Sequence, residues 1–146
     1  MQLSLQADYS CRTLMYLALH NAGEKFSIED IARAYRISEN HLVKVVHKLG
    51  KLGFIETSRG RGGGIRLARP ADQIRMGDVV RQTEPGFELV ECFNAQSNTC
   101  PVIGACGLKP WLGKAMRAFI ETLDEITLAD TVSNAKDFAA SLEFRH

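Results

Sequence analysis

The chain has 146 residues, is 45% hydrophobic and carries a formal net charge of +1, a length and composition that suit one compact unit with an ordinary core. It has no apolar run of the roughly 18 residues needed to span a bilayer, and its start, MQLSLQADYS, lacks the basic and apolar segments of a secretory signal. These features predict a cytoplasmic protein, and in that compartment cysteines serve metal binding or reactivity more often than disulfides.

The near-neutral total hides an asymmetry. Residues 1–70 carry eleven Lys and Arg against six Asp and Glu, whereas residues 71–146 carry seven against eleven. A basic front half joined to an acidic back half fits a polyanion-binding module attached to a second unit.

In chain order, residues 7–20 place Cys11, Leu14, Met15, Ala18 and Leu19 at helical spacing, and Asn21 to Gly23 supply a stop. Ser27 with Asp30 three positions on reads as a capping box, opening a short helix that buries Ile28, Ile31, Ala32 and Tyr35. Arg36 and Ile37 form a turn. Ser38 then caps a third helix with an apolar stripe of Leu42, Val45, Val46, Leu49 and Leu52. Its other face carries Asn40, His41, Lys44, His47, Lys48 and Lys51. Donors and cations on an outward helical face suit a DNA major groove, and two short helices joined by a tight turn form a helix-turn-helix.

Gly53 ends that helix, and two strand-like segments, 54–58 and 65–68, flank RGRGGG at 59–64. The glycines stand between strands with no Lys-Ser/Thr leading into a helix, so they are not a nucleotide-phosphate loop. A glycine-rich hairpin bearing Arg59, Arg61 and Arg66 brings backbone and guanidinium groups close to a duplex. The predicted fold is mainly α with a small β-hairpin wing: a winged helix-turn-helix followed by a long dimerisation helix.

The expected organisation is a DNA-binding head over 1–70, a connecting helix within 71–90, a cysteine loop over 91–107 and a dimerisation segment over 108–146. Residues 72–83 read as one short helix. Residues 108–126 place Leu108, Leu112, Ala115, Phe119, Leu123 and Ile126 at spacings of three and four, widened by Trp111, Met116 and Ile120. So apolar a helix needs a partner surface, which predicts a twofold dimer reading an inverted-repeat DNA site; the alternative is that it folds back on its own head.

Three of the four cysteines, Cys92, Cys100 and Cys106, fall in the loop, whereas Cys11 reads as a small residue packed on the first helix. The spacing C-x7-C-x5-C matches neither structural zinc knuckles nor the bacterial ferredoxin run. It leaves either a tetrahedral zinc or a four-thiolate iron-sulfur cluster one ligand short, and His20, His41, His47 and His146 all lie far off in sequence. The residues alone indicate a metal site completed from outside the loop and do not name the metal. No nucleophile–base pair or paired carboxylates stand at recognisable spacing, so no enzyme activity is expected.

Asp8-Tyr9, the segment Ser38 to Val45, the wing Arg59 to Leu67, MGDVVRQTE at 76–84, VECF at 90–93 and the cysteine loop together resemble the NsrR repressors. These are nitric-oxide-sensing members of a winged-helix iron-sulfur regulator family, and the resemblance runs along nearly the whole chain. It implies a homodimer with one 4Fe-4S cluster per subunit, held by Cys92, Cys100 and Cys106 and by Asp8 of the partner subunit. It also implies nitric oxide as the signal and double-stranded DNA as the partner; from the residues themselves, DNA contacts are expected from Ser38, Asn40, His41, Lys44, Lys48, Arg59, Arg61 and Arg66. Such a cluster is labile, so an apo form with a rearranged loop is also anticipated.

Two related regulator types compete. RirA-like iron-responsive proteins share the cysteine spacing but match less well at position 8. IscR-like proteins hold a 2Fe-2S cluster with tighter spacing and a histidine after the third cysteine, where this chain has Gly107, Leu108 and Lys109. A small iron-sulfur electron-transfer or carrier protein accounts for the thiols but not for the wing and the third helix.

Overall fold

The computed structural model describes residues 1–143. The first helix, α1 (Leu5–Ala18), starts two residues earlier than its periodicity predicts, because the Ser4 hydroxyl accepts from the Ala7 amide at 3.1 Å and caps it. Its buried face is set by Ala7, Ser10, Thr13, Leu14 and Leu17. Cys11 and Met15 sit beside that face, only partly covered.

The capping box forms as read. In α2 (Ile28–Tyr35) the Ser27 hydroxyl accepts from the Asp30 amide, and the Asp30 carboxylate accepts from the Ser27 amide at 2.8 Å. Arg36 then turns the chain in a left-handed conformation, φ 57°, which lets the Ile37 amide reach the Ala32 carbonyl at 3.0 Å. The third helix, α3 (Glu39–Lys51), has Ser38 at its N-cap, but the hydroxyl makes no capping bond. The Ser38 carbonyl instead accepts from the amides of His41 and Leu42.

The wing is a two-stranded antiparallel hairpin, β1 (Ile55–Ser58) and β2 (Gly64–Leu67), with Glu56 opposite Arg66 and Ser58 opposite Gly64. Each strand is one residue shifted or shorter than the sequence reading, since Phe54 turns fully inward beneath the sheet. Phe26 and Ile65 exchange backbone hydrogen bonds at 3.0 and 2.8 Å, which ties the wing to the segment entering α2.

The expected helix over 72–83 is not continuous. A 3-10 turn at Ala71–Gln73 is followed by extended backbone at Ile74 and Arg75, and only then by α4 (Met76–Thr83). The interruption comes from pairing with a segment fifty residues on. The Leu128 amide donates to the Ile74 carbonyl at 2.8 Å, Arg75 bridges to Thr127, and the Met76 amide donates to the Ile126 carbonyl at 3.1 Å.

After a 3-10 turn at Glu91–Phe93 and an irregular loop comes α5 (Lys109–Asp124), then α6 (Leu128–Thr131) and α7 (Ala135–Glu143). α5 packs against α4, yet none of its residues is fully buried, and Leu108 and Trp111 stand 61% and 66% exposed at its start. α6 returns to the head. Leu128 is fully buried in the same core as Leu14, Ile31, Leu42, Leu49 and Phe54, together with Ile74, Met76 and Val79. The hydrophobic core therefore continues past Pro70. Each such side chain adds about 1.5–3 kcal/mol by leaving water. No helix among the described residues is long and apolar enough to cross a membrane.

Candidate DNA-reading face and cysteine loop

α3 is pinned from one side only. Leu42, Val45, Val46 and Leu49 are buried, while Asn40, His41, Lys44, His47, Lys48 and Lys51 are all exposed. Ser38 and Asn40 lie at the N-terminal end, which in helix-turn-helix proteins meets the base edges, and the lysines follow along the helix, where phosphates run. The outward set therefore lies on one solvent-facing surface. That surface also carries a residue absent from the sequence reading, Val43, which is 51% exposed. The spacing of the stripe leaves position 43 off it, but a count of outward donors and cations passes over an apolar residue.

The wing tip is shaped by glycine. Gly60 and Gly62 have φ of 85° and 70°, and a side chain at Gly63 would collide with the carbonyls of Ser58 and Gly60. Arg59 and Arg61 project from this turn and form no ion pair among the described residues. Arg66 differs: its guanidinium is held by the Glu56 carboxylate across the hairpin, Nε at 2.9 Å and Nη2 at 2.8 Å. Lys25 also contributes, its ammonium donating to the Gly62 carbonyl at 3.3 Å. Only the fold reveals that contact, thirty-seven residues apart in sequence.

Asp8 lies in the first turn of α1, where the Arg12 guanidinium grips its carboxylate through Nε at 3.0 Å and Nη2 at 2.8 Å. Arg12 also stands over the Tyr9 ring, 5.6 Å from its centroid, and that ring lies 6.2 Å from His41 on α3. The carboxylate at position 8 is thus linked to α3 through two side chains, Arg12 and Tyr9.

Cys92, Cys100 and Cys106 are all free thiols and all partly buried. Cys92 sits in the 3-10 turn, the Cys100 amide donates to the Asn98 side chain at 3.2 Å, and Cys106 follows a turn closed by Ala105 and Val102. Among the described residues no three His, Cys, Asp or Glu side chains converge as a metal-binding group, so the chain by itself gathers neither the three thiols nor Asp8 into one site. His146 lies outside the described residues. The donor chemistry nevertheless suits an iron-sulfur cluster, with three unpaired soft ligands on one loop and none consumed in a disulfide. Cys11 stands apart: burial first, then the nearby Asp8 carboxylate, push its thiol up to about 11.

Comparison with known proteins gives the family. A family model described as Rrf2, iron-dependent transcriptional regulator, matches residues 3–134. The chain belongs to the Rrf2 family. Among curated relatives, this Rrf2 protein is 50% identical over 145 residues to the HTH-type transcriptional regulator NsrR of Shouchella clausii, covering 99% of this chain and 97% of that one. Among solved structures it is similar to T. potens IscR, with a TM-score of 0.73 at 27% identity over 92% of this chain and 88% of that chain. It is similar too to CymR of B. subtilis, described as the global cysteine regulator, with a TM-score of 0.70 at 26% identity over 92% and 98%. The resemblance read from the residues holds, and this Rrf2 chain is a DNA-binding transcriptional regulator with a winged-helix fold.

Proposed function

We propose that this Rrf2 regulator is a homodimeric repressor that binds an inverted-repeat operator and releases it when nitric oxide reaches an iron-sulfur cluster, derepressing nitric oxide detoxification genes. The observation that carries the proposal is the confinement of three free, half-buried thiols to one loop in a chain half identical, over nearly its whole length, to an NsrR regulator. A 4Fe-4S cluster would be held by Cys92, Cys100 and Cys106 with Asp8 of the partner subunit; the 2Fe-2S alternative lacks the histidine that IscR-like proteins place after the third cysteine.

When bound, such a cluster would supply irons able to react with nitric oxide, with Asp8 of the partner subunit as its one non-thiolate ligand. The protein's own residues then account for the response. Asp8 and Arg12 form a bidentate pair in this chain, so a carboxylate that leaves a metal has a cation ready to receive it. Arg12 stacks on Tyr9, and Tyr9 faces His41, so a change of partner at Asp8 acts on packing beside the reading helix. The exposed start of α5, at Leu108 and Trp111, lies next to Cys106 and supplies an apolar surface for the second subunit.

The test is anaerobic purification with iron and sulfide analysis, a nitric oxide titration, and DNA binding on the same sample. About four irons and four sulfides per chain, with operator affinity lost on titration, is the expected result. A colourless protein containing zinc, or one whose DNA binding ignores nitric oxide, overturns the reading.

A further inference from the structure

Among the described residues, Val43 is the one large apolar side chain exposed between Leu5 and Val90. Isolated surface hydrophobics are common and too small to form a protein-docking patch, so its position decides what it does. It lies one turn from Asn40 on one side and one turn from His47 on the other, positions that share a helical face. Lys44 adjoins it in sequence, and all of these residues are exposed. A β-branched residue at an exposed helical site adds no packing and is a poorer helix former than Ala, Lys or Glu. The fold of the free protein gains nothing from it.

The floor of the major groove presents donors, acceptors and one kind of apolar group, the C5-methyl of thymine. A helix about 10–12 Å across fills a groove about 12 Å wide, so residues on its outer face come to the base edges. Valine in a helix holds a single χ1 rotamer in most cases, and its two methyl groups are therefore oriented before binding. A longer apolar chain would have to be ordered first. Asn40, one turn before it, has the amide that bridges N6 and N7 of an adenine.

We propose that Val43 is a specificity-determining residue whose methyl groups pack on the C5-methyl of one thymine in each operator half-site, beside an adenine read by Asn40. The inference rests on DNA binding by this face of α3 and is independent of the cluster.

The experiment uses the full-length protein, purified anaerobically, and a duplex recovered by selection from a random-sequence library. Each thymine of a half-site is replaced in turn by deoxyuridine, which removes only the methyl group, and binding is measured for the wild type and for Val43→Ala. One position should weaken wild-type binding about threefold to tenfold while leaving Val43→Ala unaffected. Val43→Ala should melt at the same temperature as wild type or higher, which separates a reading defect from a folding defect. Two outcomes overturn the proposal: no thymine in the selected site is sensitive to deoxyuridine, or the sensitivity persists undiminished in Val43→Ala. Failure to recover any preferred duplex would instead overturn sequence-specific binding by α3, and the inference with it.

Discussion

Gly77 on α4 lies directly against Asp124 at the end of α5. A Cβ at position 77 would collide with the Asp124 carboxylate and come within 2.9 Å of its backbone nitrogen. The two helices therefore approach more closely there than any side chain permits, and Arg81, one turn along α4, fastens the contact by gripping both Asp124 oxygens at 3.0 and 2.7 Å.

Gly77→Ala should destabilise the protein by about 1–3 kcal/mol, the usual range for an added buried methyl that forces backbone apart. Urea unfolding would show it as a lower midpoint. Adding Asp124→Ala removes the carboxylate collision but not the backbone one, so it should recover only part of the loss.

The cysteines divide into two classes. With its thiol pushed up to about 11, Cys11 is ionised to about one part in a thousand at pH 8. Native apo protein treated with iodoacetamide should take up label on Cys11 more slowly than on Cys92, Cys100 and Cys106, since the reactive thiolate is scarce there. Labelling of Cys11 as fast as that of the loop cysteines, read by mass spectrometry of the peptides, would contradict the raised value of its thiol.

The wing arginines should separate in a salt titration of DNA binding. Arg59→Ala and Arg61→Ala should each lower the slope of log K against log salt by about one, because nothing in the described structure competes for those guanidinium groups. Arg66→Ala should change the slope less, since Glu56 already holds its charge. Equal slopes for Arg61→Ala and Arg66→Ala would show that the Glu56 pair opens on DNA.

The cap of α2 gives a pH signature. Hydrogen bonds from the Ser27 amide and hydroxyl hold the Asp30 carboxyl below its ordinary value of 3.8. The folded state thus favours the ionised form, so the stabilisation is complete above the unfolded value and disappears as pH falls through the folded one. The stability gap between wild type and Asp30→Asn should be constant near neutral pH and shrink below about pH 4. Ser27→Ala should remove about 1 kcal/mol at neutral pH, measured by thermal melts.

Much of the head was legible from local pattern. The stripe Leu42, Val45, Val46 and Leu49 is buried, the Ser27–Asp30 box forms, and Arg36 and Ile37 turn the chain, because each depends on residues within one or two helical turns. What escaped depends on distant partners. The break at Ile74 and Arg75 arises from pairing with Thr127 and Leu128, and nothing in residues 72–83 announces it. Ser38 stands at the N-cap without capping, and Arg66, one of three wing arginines alike in sequence, is the one drawn to Glu56. Val43 escaped because the outward face was read for its donors and cations, and an apolar residue among them gives no such signal. For the cysteine loop, spacing pointed to three candidate donors and an outside ligand, and among the described residues the chain alone does not bring them together.

The pairing of residues 74–76 with 126–128 has a mechanical consequence. The segment between them begins and ends at this junction, its base: α4 packs on α1 of the head, with Val79 in the shared core and Glu84 accepting from the Ser4 amide at 2.8 Å, and α5 packs on α4. The 16 residues of α5 span about 24 Å, so a displacement of about 2 Å at the loop corresponds to a turn of about 5° at the base. The base shares its core with Leu42 and Leu49 of α3. The cysteine loop is thus joined, through α5 and this junction, to the same hydrophobic core on which α3 rests.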